Sequence, residues 1–94
     1  MVIYTIWNKK QNKYYLASTS LDTFKAQKMM DEISLTYGEH HCHKLNEDYI
    51  YDGLNHFEII VLDVIPKNSK KSIRKKSIKF WVNKLNPFYG YYKR

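Results

Sequence analysis

Between Lys67 and Lys79 the chain carries seven cations, Lys67, Lys70, Lys71, Arg74, Lys75, Lys76 and Lys79, and no acid. The rest of the sequence holds nine basic and nine acidic residues, so the whole formal charge of +7 comes from this one stretch. Charge concentrated in that way suits a polyanion partner, most often nucleic acid, whose phosphates attract clustered lysines and arginines. It also suits a plain solvated helix face. A second cluster, His40-His41-Cys42-His43, has ligand-type side chains. Adjacent residues rarely ligate one metal together, and no second ligand pair stands at zinc-finger spacing, so no metal or cofactor is expected there. The sequence has no Gly-rich phosphate loop, no Ser-His-Asp set and no two-cysteine motif, hence no other enzyme signature.

The elements that would position these residues follow from residue type and period. Ninety-four residues make a single domain, 1–94, with a modest core. Val2 to Trp7 is a strand by its β-branched and aromatic content, Asn8 to Lys13 a polar turn, and Tyr14 to Ala17 the return strand of a hairpin. Ser18-Thr19-Ser20 leads into a helix over about 21–35, which places Ala26, Met29, Met30 and Ile33 at helical spacing as its core face. A loop over 39–43 precedes a short helix at about 44–51, with Leu45 and Tyr49 four apart, and Asp52-Gly53 breaks it. Phe57 to Val64 is the most apolar strand and is expected in the middle of the sheet. A last helix over about 69–85 buries Ser77, Ile78, Trp81, Val82 and Leu85 and turns its lysines outward, before Asn86-Pro87 and an aromatic, basic tail. The order β-β-α-α-β-α makes an α+β domain: a small three-stranded antiparallel or mixed sheet flanked by three helices.

One cysteine allows no internal disulfide, which fits a reducing compartment. Met1 to Trp7 lacks the apolar core of a secretory signal, and no apolar run approaches the ~20 residues of a membrane span. The expected location is cytoplasmic, with no membrane partner.

In this order the segments resemble the GIY-YIG nuclease domain. That family opens with Gly-Ile-Tyr and, after a strand and turn, Tyr-Ile-Gly. Here Val2-Ile3-Tyr4 and Tyr15-Leu16-Ala17 keep both tyrosines and replace both glycines. Leu45, Tyr49, Gly53, Phe57 and Glu58 fall in register with a later family segment, and Phe80-Trp81-Val82 with its aromatic-Trp-Ile segment. The resemblance implies that Tyr4 and Tyr15 lie at the catalytic face, the first of them helping to deprotonate a water. It implies that His40 lies near the same face, against the plainer reading of a histidine in a solvent-exposed loop. It also exposes two departures. The family arginine that grips the scissile phosphate has Lys25 as its nearest counterpart, or Phe24 if the loop is one residue shorter. The family's metal-binding glutamate falls on Ile78, which offers no oxygen to magnesium.

Three functions follow as expectations. The first is a catalytically impaired nuclease-like protein; its Lys, Asn, Ile and Tyr richness points to an AT-rich genome, and a degenerate domain of this size suits a phage or mobile element. It would hold DNA or RNA phosphates through Lys70, Lys71, Arg74, Lys75 and Lys79, with His40 beside them. The second is an inhibitor or sponge whose basic face meets a host defence protein or a small phosphorylated ligand. The third is an active nuclease with a relocated metal ligand, Glu58 or Asp63. Convergence of Tyr4, Tyr15, Lys25 and Ile78 on one basic concavity would support the first, and dispersal would count against it.

Overall fold

A computed structural model describes residues 1–94. Strands β1 (Val2–Asn8) and β2 (Lys13–Thr19) form the expected hairpin, paired from Val2↔Thr19 to Asn8↔Lys13. Asn12 closes the turn at φ 53°, a left-handed conformation that asparagine tolerates better than most residues. Helices α1 (Phe24–Thr36) and α2 (His43–Asp52) follow, then a single 3-10 turn at Leu54–His56 and β3 (Phe57–Val64). Helix α3 (Lys71–Leu85) ends at Asn86 in the left-handed region, and β4 (Tyr91–Lys93) closes the chain's path.

The sheet has four strands in the order β3-β1-β2-β4, with β3 antiparallel to β1 and β4 parallel to β2. Two expectations change. The middle of the sheet is the hairpin, not Phe57–Val64. The local β1–β2 pair forms with one free edge on each strand, and β3 occupies the β1 edge, leaving its own outer edge open. Val61 and Val64 on β3 are accordingly exposed, while β1 is buried along nearly its whole length. The fourth strand comes from the aromatic tail. Gly90, at φ +93°, makes the sharp entry, and its carbonyl accepts the Leu16 N–H.

The two faces of the sheet carry separate cores. Tyr4, Ile6, Tyr15 and Ala17 meet Leu35 of α1 and Leu45 of α2 on one face. On the other, Ile3 and Leu16 with Ile65 receive Ile78, Trp81, Val82 and Leu85 of α3, as its apolar period predicted.

Helix α1 does not present the predicted face. Met29, Met30 and Ile33 are each half or more exposed, and Ala26 is exposed too. The inward side is Phe24, Gln27, Asp31 and Leu35, about 150° around the helix and so close to the opposite side. A buried aspartate has decided the rotation against the apolar pattern. The difference is measurable with two like truncations. Leu35→Ala should cost about 2–5 kcal/mol, whereas Ile33→Ala should stay within ~1 kcal/mol. Equal losses in urea melts would return Ile33 to the core.

Candidate functional site

Tyr4 and Tyr15 point to the same face of the sheet and are fully buried. Each hydroxyl is claimed by a neighbour brought from far along the chain. Tyr4 donates to Asp31 Oδ2 at 2.6 Å. Arg94 Nη1 donates both to Tyr15 Oη at 2.6 Å and to Asp31 Oδ1 at 2.7 Å. His40 Nε2 lies 3.0 Å from the same Oδ1, and its Nδ1 accepts the Cys42 N–H. The ring hydrogen therefore sits on Nε2 and is donated to Asp31. Asp31, with no exposed surface, thus accepts three hydrogen bonds, one from a guanidinium. His41 Nε2 is 2.7 Å from the Tyr15 hydroxyl, and the Tyr92 ring stacks on Tyr15 at 5.0 Å.

This arrangement fixes the charge states. Burial alone would push the Asp31 carboxyl up; the bonds from His40 and Tyr4 together with the Arg94 charge outweigh it and hold the carboxyl below its usual range. Tyr4 is driven far above an ordinary phenol by burial, by donating to Asp31 and by that carboxylate's charge. Burial likewise lifts Tyr15, although Arg94 opposes it. Burial and the neighbouring His40 and Arg94 push His41 down. A phenol of this kind anchors a carboxylate; it is a poor general base near neutral pH.

The remaining residues nominated by sequence separate. Lys25 is exposed, on a different side of α1 from Asp31, and Phe24 packs edge-on against Tyr4 at 5.4 Å. The polar residue that does share Asp31's side, one turn earlier, is Gln27, whose buried Nε2 has no hydrogen-bond partner. Ile78 lies on the opposite face of the sheet, against the Ile3, Leu16 and Ile65 cluster. The expected convergence of Tyr4, Tyr15, Lys25 and Ile78 thus reduces to the two tyrosines. His40, expected beside the phosphate-binding lysines, is 2 % exposed with both ring nitrogens engaged, so it supports Asp31 instead.

A hard divalent cation does not fit the residues present. Ile78 offers no donor. Asp63 accepts the Ser77 hydroxyl at 2.7 Å, Glu58 is an exposed neighbour of Lys9, and both oxygens of fully buried Asp31 already accept hydrogen bonds. No three His, Cys, Asp or Glu side chains gather in a metal-holding group.

The basic stretch divides as well. Lys71, Lys75 and Lys79 are exposed and four residues apart along α3, and Lys70 stands exposed at its N-cap. Arg74 turns the other way, donating from Nη1 to the Ser69 carbonyl at 3.0 Å and lining a cleft of about 520 Å³. Lys67, Lys93 and Arg94 line that cleft too, with hydroxyls from Ser18 to Thr23. Sequence reading missed Asp31, Arg94 and the cleft; Asp31 and Glu32 stand side by side in the helix, and nothing local marks Asp31 as the one that turns inward. A second cleft, of about 470 Å³, lies between α1 and β3 and is mostly apolar.

The overall architecture can now be compared with known proteins. No family model matches the chain, and no curated protein matches it. Among solved structures, the catalytic domain of the homing endonuclease I-TevI superposes with a TM-score of 0.71 at 32 % identity, covering 99 % of this chain and 97 % of that one. The chain belongs to the GIY-YIG nuclease domain family. A mutant form of the same I-TevI domain matches at 31 % identity and a TM-score of 0.67, over 92 % of this chain and 86 % of that one. Within the GIY-YIG fold, then, this chain keeps the paired tyrosines and surrounds them with an aspartate–arginine lock.

Proposed function

We propose that this GIY-YIG domain binds nucleic acid through its cations and is impaired as a nuclease. The four nominated residues do not converge, so the reading rests on lost chemistry instead, and the observation that carries it is Ile78. It stands where the resemblance places the acidic metal ligand, it is packed among apolar side chains, and no carboxylate has moved in to replace it. Without a hard-oxygen donor set, nothing neutralises the charge that develops on a phosphate under attack. The tyrosine hydroxyls, on the other face of the sheet, are committed to Asp31 and Arg94. What remains is cation-rich surface, which suits binding without cutting, as in a phage or mobile-element protein that occupies or competes for a site.

Cleavage and binding assays test the two halves. Duplex DNA incubated with the protein and magnesium or manganese should stay intact above background. Robust metal-dependent cutting that disappears in Tyr4→Phe would reverse the reading. Binding should weaken with salt at a log–log slope of roughly −4, for four or five phosphates neutralised at about −0.9 each. Lys71→Ala with Lys75→Ala should flatten that slope by about two for every sequence tried, at unchanged melting temperature.

A protein-binding reading has one specific observation in its favour. Met29, Met30, Ile33 and Tyr37 on and after α1, with Ile50 and Tyr51 on α2, are large apolar side chains half or more exposed. It predicts little affinity for any nucleic acid at ~150 mM salt, where non-specific binding is already weak.

A further inference from the structure

The cleft between the start of α1, the start of α3 and the end of β4 has features that the duplex-facing lysines do not explain. It collects Lys67, Arg74, Lys93 and Arg94 within about 520 Å³. Two of these charges are locally answered: Arg94 by buried Asp31, and Lys67 by Asp22 at 3.5 Å, a highly exposed and hence weak pair. Neither Arg74 nor Lys93 has a carboxylate within salt-bridge reach. Two unanswered positive charges therefore share one small concavity.

Its uncharged lining is equally specific. Thr19, Ser20 and Thr23 are linked hydroxyl to hydroxyl, Thr19 to Thr23 at 2.9 Å and Ser20 to Thr23 at 2.7 Å, and Thr23 also reaches the Ser20 carbonyl. These rotors can turn toward a stronger acceptor. Thr23 is the N-cap residue of α1, yet its side chain caps no backbone N–H, and the first turn contains no acid. The first turn of a 13-residue helix thus has no side-chain cap beside the hydroxyls.

We propose that this cleft binds a phosphate monoester. Such a group carries close to two negative charges at neutral pH and three strong acceptor oxygens, which matches two free cations and a set of convergent hydroxyl donors. An internal phosphodiester carries one charge and is flanked by sugar on both sides. The volume lies within the ~300–1,000 Å³ of small-ligand sites, enough for a phosphate with one sugar and base and too little for a duplex. The proposal rests on the nucleic-acid reading for one of its two sources, the phosphorylated end of a strand. The other source is a free mononucleotide, with the same chemistry.

Fluorescence anisotropy on the unmodified protein at ~150 mM salt would compare single strands of one sequence bearing a 5′ phosphate, a 3′ phosphate or hydroxyls at both ends. A terminal phosphate at one end should tighten binding about tenfold or more, the effect of a single charge-assisted hydrogen bond. Nucleoside monophosphate should compete for that strand. Arg74→Gln and, separately, the exposed Lys93→Gln should each bring the phosphorylated and hydroxyl strands within about twofold at an unchanged melting temperature, whereas Lys75→Ala should weaken all strands alike. Equal binding of all three strands by the unmodified protein would overturn the proposal and leave the nucleic-acid reading standing. A preference that survives both variants would also overturn it. Monophosphate binding lost in Arg74→Gln, with no binding of any strand, would uphold the cleft as a mononucleotide site and remove the nucleic-acid reading. No binding of strand or mononucleotide removes both.

Discussion

Asp31→Asn should destabilise the protein by about 3–5 kcal/mol, the usual consequence of leaving one partner of a buried ion pair alone. The side chain keeps its shape, so no cavity opens. What changes is the hydrogen-bond arithmetic. The carboxylate accepts from Tyr4, His40 and Arg94. A carboxamide at the same place has one acceptor oxygen and turns an NH₂ group toward donors, and the Arg94 guanidinium loses its counter-charge. A 94-residue domain has roughly 5–14 kcal/mol of stability in all, so the loss is a large part of it. At about 4–8 °C per kcal/mol, the melting temperature should fall by ~15 °C or more. Surface pairs give the contrast: Glu32→Gln, which removes the exposed Lys28–Glu32 pair, should change stability by less than ~0.5 kcal/mol. Similar melting temperatures for Asp31→Asn and Glu32→Gln would mean that the buried cluster does not hold the fold.

How much of this was legible beforehand depends on how local the cause is. The β1–β2 hairpin, α2 and the inward face of α3 follow from patterns within about fifteen residues, and they came out as read. The face of α1 did not, because what turns it inward lies elsewhere: Tyr4 is 27 residues from Asp31 and Arg94 is 63. A polar residue gains its reason for burial only from partners, and helical periodicity counts apolar residues alone. Strand β4 was hidden for the same reason. Three residues show no period, and their strand character comes from pairing with Leu16, Ala17 and Ser18. The apolar run Ile59 to Leu62 suggested a central strand, yet it reflects two half-covered faces on an edge. Counting from Tyr15 gave Lys25 as the arginine's counterpart, but a helix that begins at Phe24 turns Gln27 and Asp31 inward instead. The family order survived all these shifts, because it depends on which elements follow one another and not on which side chains meet.

Arg94→Met should produce a loss of similar size and, in addition, reverse the response of the fold to acid. In the unmodified protein the Asp31 carboxyl is held below its usual value. A carboxyl depressed in the folded state binds fewer protons than in the unfolded state, so its contribution is complete above the unfolded value, about 3.9, and is lost as the pH falls through the lower folded value. Stability from this group is therefore flat from neutral pH down to about 5 and declines in stronger acid. Methionine fills much of the same volume without charge. The carboxyl then keeps its bonds from Tyr4 and His40 but loses the guanidinium, while burial, the largest influence on it and one that raises it, remains. If burial prevails, the folded state binds the extra proton first, and the sign of the linkage inverts: stability is greatest below the unfolded value and falls as the pH rises through the folded one. Urea midpoints at pH 7, 5.5 and 4.5 read this directly. The variant should gain on the unmodified protein with each step down in pH, recovering part of its deficit by pH 4.5. Adding Asp31→Asn to Arg94→Met should abolish that recovery, since no carboxyl remains to take the proton, and should cost less than the sum of the two single changes because the residues share one interaction. A constant deficit across the three pH values would show that the bonds from Tyr4 and His40 hold the carboxyl low without Arg94.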